Sequence, residues 1–305
     1  ITIGGQSAGG GSVMSQLNCL ENKRYIKKAV VESGMFLFPY HEPPYASVEL
    51  AQKNSVDFLD YLGVKSVKEA RELPAEYIRV KNEESGMMWW PVNDGIFQKK
   101  QYMETFYTGK ILDVPMFIGS TTGEFFENAP VTNEEELVEF AKTRFKDQSG
   151  EFLRLIGYGS QNFDEMLKNT SVQVMRIPLL EAMNKLPEMG RENPLYFYDF
   201  GPYIPGEDNP GAFHSSDLWF FFETLAKCSR PFTGVHYDLS RKMCNYLCNF
   251  IKNGDPNGVD ADGTPMEKWE PYTQEGQDIM GFYDTIEPKK VTMSDLEQFF
   301  VKFLA

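Results

Sequence analysis

The chain reads as an α/β protein, and three observations carry that expectation. Short apolar runs alternate with stretches of helical spacing along its 305 residues. The run Val114-Pro115-Met116-Phe117-Ile118-Gly119 is continuously apolar rather than alternating, as strands buried on both faces of a parallel sheet are. The opening run, Ile1-Thr2-Ile3, leads straight into Gly5-Gln6-Ser7-Ala8-Gly9, a small-residue turn of the kind that joins a strand to a helix.

Taken in order, Ser12 to Leu20 has helical character, and Ala29 to Ser33 reads as the next strand, closed by Gly34. Ala51, Ser55, Phe58, Leu59 and Leu62 recur at helical spacing and stop at Gly63. Pro74 opens a further helix at its first turn. The run from Val114 is the next strand. Asn133, with Glu136 three residues on, is a helix start close to a capping box. Leu137, Phe140, Ala141 and Phe145 form that helix's apolar stripe. Pro194 to Phe200 reads as a strand. Leu239, Met243, Tyr246, Leu247 and Phe250 line one face of a long helix that ends near Gly254 and Pro256. A strand near Ile279 to Tyr283 and a helix from Ser294 close the chain. One domain over residues 1–305 is expected, with a mainly helical, cap-like region at about 130–190.

Composition excludes several functions. The hydrophobic share is 42% but no run approaches the length of a membrane span. The net charge of −14 argues against nucleic acid and anionic membrane surfaces as partners, and is read as a solubility feature. Four cysteines (Cys19, Cys228, Cys244, Cys248) show neither metal-ligand spacing nor a disulfide framework, so no metal and no cofactor are expected. Cys244 and Cys248 stand one helical turn apart, flanking a packed face. The cysteine usage favours the cytoplasm, with secretion left open by the unseen N-terminus.

The turn at residues 5–9 has the form G-x-S-x-G. A serine hydroxyl is a weak nucleophile at neutral pH and needs a base beside it and a group to orient that base. A sharp strand-to-helix elbow lifts such a serine above the sheet, and small flanks, here Gly5 and Gly9, avoid clashes in the strained turn. Gly10 and Gly11 let the following helix approach the sheet. The Ala8 N–H then points into the site as one oxyanion donor. The competing reading is a glycine-rich turn without chemistry.

In this architecture the acid and then the base follow on loops after later strands. Three histidines are present. His41 comes too early, and His236 begins a helix without a strand-loop before it. His214 lies in Pro210-Gly211-Ala212-Phe213-His214-Ser215-Ser216-Asp217, after the strand ending at Phe200 and just before a helix. Glu124 follows the Val114 strand at its carboxyl end, in Gly119-Ser120-Thr121-Thr122-Gly123-Glu124. Its structural alternative is a glutamate at a helix N-terminus. Glu127 is its competitor, and Asp113 sits at the strand's wrong end.

These residues resemble the type-B carboxylesterase/lipase family, the cholinesterase-like α/β-hydrolases, and within it the bacterial p-nitrobenzyl-esterase-type members. The resemblance runs over essentially the whole chain. Ile1 to Gly10 is similar to the family's serine segment, and Ala29-Val30-Val31-Glu32-Ser33-Gly34 to its following strand. Pro91-Val92-Asn93-Asp94-Gly95 matches P-V-x-D-G. Val114 to Glu124 resembles the glutamate segment, and Gly211 to Asp217 the G-x-x-H-x-x-D/E segment. Asp255-Pro256-Asn257 and Trp269-Glu270-Pro271-Tyr272 resemble the D-P-N and W-x-x-Y landmarks. The resemblance implies an α/β-hydrolase fold, with Ser7 as nucleophile, Glu124 as orienting acid and His214 as base, supported by Ser33 and Asp217.

Departures from the pattern shape the expected activity. Gln6 stands where most members carry glutamate, which weakens the case for a cationic choline-type substrate. Glu32 replaces a commoner glutamine, and Gly123 stands where an acidic residue is common. The family's N-terminal half, with its first strands and glycine-rich oxyanion loop, has no counterpart in these residues. The chain is therefore expected to be a C-terminal portion, inactive alone, with an apolar strand edge at Ile1–Ile3. A small neutral ester is the expected substrate. Phe125 and Phe126, beside Glu124, are the aromatics best placed to meet it, while Trp89, Trp90, Trp219 and Phe220 to Phe222 weigh more toward core. The alternative is a non-catalytic cholinesterase-like adhesion or binding module. No feature specifies an oligomeric state.

Overall fold

The computed structural model describes residues 1–35, 39–40, 46–99 and 110–304; His41 lies outside the described residues. Two compact units are present, one of residues 1–42 and 106–305 and one of residues 43–105. In chain order the larger unit begins with β1 (Thr2–Gln6), α1 (Ala8–Asn18) and β2 (Lys28–Glu32). The smaller unit contributes β3 (Ala46–Ser47), α2 (Val48–Leu62), α3 (Val67–Ala70), α4 (Ala75–Ser85) and β4 (Val92–Asn93). The larger unit resumes with β5 (Met116–Thr121), β6 (Phe126–Glu127), α5 (Glu134–Phe145), α6 (Ser149–Leu155) and α7 (Phe163–Asn169). There follow β7 (Val172–Gln173), α8 (Arg176–Glu188), β8 (Leu195–Phe200), α9 (Asp217–Phe221), α10 (Gly234–Asn253), β9 (Asp278–Phe282), β10 (Ile286–Lys290) and α11 (Asp295–Leu304).

A six-stranded sheet in the order β1-β2-β5-β8-β9-β10 forms the larger unit's frame. Every pair through β9 is parallel, and β10 closes the edge antiparallel to β9. Strands β5 and β8 are buried along their whole length, which explains their unbroken apolar character. Against one face, Phe117, Tyr198, Phe221, Phe250, Trp269 and Phe282 pack as an aromatic core, mostly edge to face. A second core joins Phe145 and Phe152 of α5 and α6 to Phe299 and Phe300 of α11.

Several boundaries differ from the sequence expectation for identifiable reasons. Helix α1 starts at Ala8 rather than Ser12, because the glycines that weaken helix propensity are what let it approach the sheet. Strand β5 begins two residues after Val114 and runs on through Thr121, held by β8 from Met116↔Leu195 to Thr121↔Phe200. Helix α4 starts at Ala75, with Pro74 as its cap residue rather than its first turn. Strand β10 had no apolar signal: Ile-Glu-Pro-Lys-Lys is a charged, proline-bearing edge, a composition that discourages further pairing. The Asn133 side chain does accept from the Glu136 N–H at 2.9 Å, but the Glu136 carboxylate reaches back to the Thr132 N–H. Cys244 and Cys248 are free thiols with sulfurs 4.0 Å apart.

Within the smaller unit, the Ser47 hydroxyl caps α2, which ends at Gly63 in the left-handed region (φ 76°). The Asp94 carboxylate accepts from the N–H groups of Ile96 and Gln98, both at 2.9 Å, which shapes the P-V-N-D-G turn.

The seat of α1 on the sheet rests on two glycines. A Cβ on Gly10 would lie 2.6 Å from the Gly34 Cα, and one on Gly34 would lie 2.7 Å from the Gly10 carbonyl carbon. Backbone meets backbone there, so neither side can yield. Gly34→Ala is expected to cost about 1–3 kcal/mol or more in thermal unfolding. Gly9→Ala, where a Cβ meets nothing within 4 Å, is expected to stay within about 1 kcal/mol of the parent, on the stabilising side.

Candidate active site

Strand β1 ends at Gln6 and helix α1 begins at Ala8, so Ser7 alone makes the turn between them. Its backbone sits at φ 57°, ψ −126°, a region that costs a non-glycine residue on the order of 1–3 kcal/mol. Two bonds hold it there: Ser7 N–H donates to the Glu32 carbonyl (2.9 Å), and Gly11 N–H donates to the Ser7 carbonyl (3.1 Å). Gly5 is required, since a Cβ there would lie 2.9 Å from the Gly10 nitrogen and closer still to the Gly9 carbonyl. Among the described residues a Cβ on Gly9 would meet nothing within 4 Å, which differs from the steric flank expected of it. The Ala8 N–H opens α1, where no carbonyl of the helix can reach it and the helix dipole is positive.

His214 stands on the loop between β8 and α9. Its Nε2 lies 2.8 Å from Ser7 Oγ and its Nδ1 2.5 Å from Glu124 Oε2. An ionised carboxylate only accepts, so the shared proton sits on Nδ1, and Nε2 is left to accept from the serine hydroxyl. The left-handed backbone of Ser215 (φ 73°) and the Ser216 N–H bond to the Phe213 carbonyl (2.9 Å) shape this turn. The Phe125 ring covers the imidazole, centroids 4.6 Å apart, while Phe126 stays exposed.

Glu124 follows β5 in a loop with β6 after it, not a helix, so the helix N-terminal reading of this residue does not apply. Its carboxylate is buried. Oε1 accepts from the Ser33 hydroxyl (2.5 Å) and the Thr121 N–H (3.0 Å), while Oε2 takes His214. Burial pushes this carboxyl up, but the bonds from His214, Ser33 and Thr121 and the His214 charge outweigh it and hold it below its ordinary value. The loops carrying Glu124 and His214 are clamped together by the Gly123 N–H donating to the Ala212 carbonyl at 2.9 Å. A Cβ on Gly123 would lie 2.7 Å from that oxygen, which explains glycine at a position expected to be acidic.

Ser33 therefore touches Glu124 directly, whereas Asp217 makes no hydrogen bond to the three. Asp217 opens α9 fully buried, and its Oδ2 accepts from the Tyr198 hydroxyl at 2.9 Å. Tyr198 lies across Gly119, its partner in the β5–β8 register, where a Cβ would strike the ring. Burial pushes Asp217 up to about 6, with the Tyr198 bond opposing and the Glu124 charge adding to the rise. Glu32, the last residue of β2, is also buried and is pushed up to about 8 by burial and by the charge of Asp217. The Gln6 amide donates to Ser215 Oγ (2.8 Å), with its nitrogen 3.2 Å from His214 Nε2.

The competing candidates go elsewhere. His236 caps its own helix, its Nδ1 accepting from the Thr233 N–H at 3.0 Å. Glu127 lies in β6, and Asp113 pairs with Arg191 at 3.0 Å. Phe220 and Phe221 are core, and Trp219 is partly buried against it. Among the described residues no group of three or more His, Cys, Asp or Glu converges to hold a metal, and no helix is long and apolar enough to cross a membrane.

Residues 1–299 match the model of the carboxylesterase family. The chain belongs to that family. It is 26% identical over 347 residues to a bile salt-activated lipase of Rattus norvegicus, covering 100% of this chain and 54% of that protein. It is 27% identical over 310 residues to a cocaine esterase of Homo sapiens, covering 91% and 53%. Among solved structures, a PNB esterase superposes with a TM-score of 0.72 at 19% identity, over 97% of this chain and 61% of that one. A carboxylesterase of Geobacillus stearothermophilus gives 0.64 at 22% identity, over 98% and 63%. The fold is thus that of the α/β-hydrolase carboxylesterases, and the chain spans about half the length of the curated relatives it matches.

Sequence reasoning missed Tyr198, Thr121, the Gln6–Ser215 bond and the inward direction of Glu32. Only Tyr198 carried a signal, a glycine facing an aromatic across two adjacent buried strands.

Ser33→Ala removes one donor to a buried carboxylate and is expected to cost about 1–3 kcal/mol at neutral pH. Because the folded Glu124 lies below 4.5, its contribution is present above that value and is lost as pH falls through the folded value. The deficit measured by denaturant unfolding should therefore shrink on acidification. An equal deficit at neutral and acid pH would count against the bond.

Proposed function

We propose that this chain carries the catalytic centre of a serine hydrolase that cleaves carboxylic esters through an acyl-enzyme. The observation that supports this most is the unbroken chain from Ser7 Oγ to His214 Nε2 at 2.8 Å and from Nδ1 to Glu124 Oε2 at 2.5 Å. In this reading Ser7 attacks the ester carbonyl carbon while His214 takes its proton. Glu124 holds the imidazole and stabilises its positive charge. The oxyanion of the tetrahedral intermediate faces the Ala8 N–H and the positive end of α1. Collapse expels the alcohol, protonated by His214, and leaves Ser7 acylated. Water then repeats the sequence and frees the acid.

A neutral ester of modest size fits the site. Gln6 puts an uncharged amide beside the imidazole, and the Phe125 ring adds an exposed apolar wall. The relatives' names, lipase and esterase, agree with ester cleavage in general. A purely binding role is disfavoured, because an adhesion surface has no use for a buried carboxylate aligned on a histidine and a strained serine.

We further propose that residues 1–305 alone are slow. A tetrahedral oxyanion wants more than one donor, and removing one costs on the order of 10²–10³ in rate. Among the described residues, the Ala8 N–H is the donor identified.

In the full-length protein, Ser7→Ala should lower hydrolysis of a p-nitrophenyl ester by about 10³-fold or more. A phosphonate ester should label Ser7 covalently in the parent, located by peptide mass spectrometry. A folded Ser7→Ala variant with parental activity would overturn the assignment. Purified residues 1–305 hydrolysing that ester as fast as the full-length protein would overturn the second proposal.

A further inference from the structure

Two carboxyl groups lie behind the catalytic centre with no cation pairing them among the described residues. Glu32 ends β2, immediately before the Ser33 that holds Glu124. Asp217 opens α9, three residues after His214. Glu32 is 3% exposed and Asp217 0%. Asp217 Oδ2 is satisfied by the Tyr198 hydroxyl, but Asp217 Oδ1 and Glu32 Oε1 are buried with no hydrogen-bond partner among the described residues.

The groups whose charge or dipole reaches this pair come from four elements. They are Glu32 on β2, Tyr198 on β8, Glu124 on the loop after β5, and Asp217 with His214 at the start of α9. Tyr198 is held neutral by burial and by its acidic neighbours, so it only donates. Glu32, Gly119 and Tyr198 stand level across β2, β5 and β8, and Tyr198 bonds Asp217, so the acids share one buried space. Among the described residues the titratable base that reaches it is His214, already bonded to Glu124. Two further ionised carboxylates there would repel each other and Glu124 with no compensation. Coupled carboxyls in such a space keep one proton between them.

We propose that Glu32 and Asp217 hold a single buried proton, carried by Glu32, and act as a positioning pair that limits the negative charge behind Glu124 and His214. Asp217, fixed by Tyr198, is the anionic member. Glu32, uncharged like a glutamine only while it is protonated, is the neutral member. When Glu32 ionises, a second unpaired charge appears beside Asp217. It then repels Asp217 and Glu124 and loosens the β2–α9 junction, and with it the His214 loop that precedes α9. The positioning role rests on the triad reading; the shared proton does not.

The test uses the full-length protein and three readouts. Infrared difference spectra should show a protonated carboxyl band that disappears as pH rises through about 8, and that is absent in Glu32→Gln. The folded Glu32 sits above its ordinary 4.5, so the folded state binds more protons between 4.5 and about 8, and its stability falls with rising pH across that window. Glu32→Gln should therefore gain thermal midpoint relative to the parent as pH rises through the window. The pH profile of kcat/KM should have an alkaline limb in the parent that moves to higher pH in Glu32→Gln. If Glu32→Gln does not fold, Asp217→Asn is the second variant. Relieved of its charged neighbour, Glu32 should lose its carboxyl band at lower pH than in the parent.

A band that persists unchanged in both variants overturns the shared proton, as does a constant midpoint difference between parent and Glu32→Gln. A band and midpoint that behave as stated, with an unmoved alkaline limb, overturn the positioning role. Failure of the triad reading would show separately, as activity surviving in Ser7→Ala.

Discussion

The site depends on one buried negative charge. An unpaired carboxylate at the depth of Glu124 is costly enough that the surrounding chain has to supply donors. It does so from three directions: the Ser33 hydroxyl after β2, the Thr121 N–H at the end of β5, and His214 from the loop before α9. The pairing Glu32↔Gly119 sets Ser33 beside the last residues of β5, so the Ser33 hydroxyl and the Thr121 N–H meet the same oxygen. The other oxygen is left for the imidazole, and the imidazole's far nitrogen then falls on Ser7.

Missing side chains make that geometry possible as much as present ones. Gly10 and Gly34 let α1 settle on the sheet and bring the Ser7 turn over the strand ends. Gly119 clears the path by which Tyr198 reaches Asp217, and Gly123 lets the acid loop touch the base loop. Each glycine allows a close approach that a methyl group would block, and each approach places a group bearing on the centre. The strain in Ser7 persists because hydrogen bonds on both of its sides hold it.

Much of this was legible before any coordinates. The elbow, the chain order of serine, acid and base, and the continuous apolar strands at β5 and β8 were all visible as local patterns. The amphipathic face of α10 was equally plain, and all five of its expected residues are buried. Other features were not. Gly9 belongs to the sequence motif yet meets open space, while Gly10, outside it, is the contact. Strand β10 is a charged edge and so lacks the apolar pattern that reveals buried strands. Asp217 was expected as support for the triad, yet it bonds Tyr198 and makes no hydrogen bond to Ser7, His214 or Glu124.

The sequence by itself determined the fold class, the order of the chemistry-bearing residues and the placement of each on a strand end or loop. Those features follow from periodicity and turn chemistry, which act between near neighbours. Only the tertiary structure decided which carboxylates are paired and which are left in apolar surroundings. The bonds that join the site span 90 residues between Glu124 and His214 and 207 between Ser7 and His214. Protonation of Glu32 and Asp217 depends on desolvation and on neighbours brought in from other elements. The Gly5-Gln6-Ser7-Ala8-Gly9 turn is therefore written in the sequence, while its electrostatics arise only when the strand ends come together.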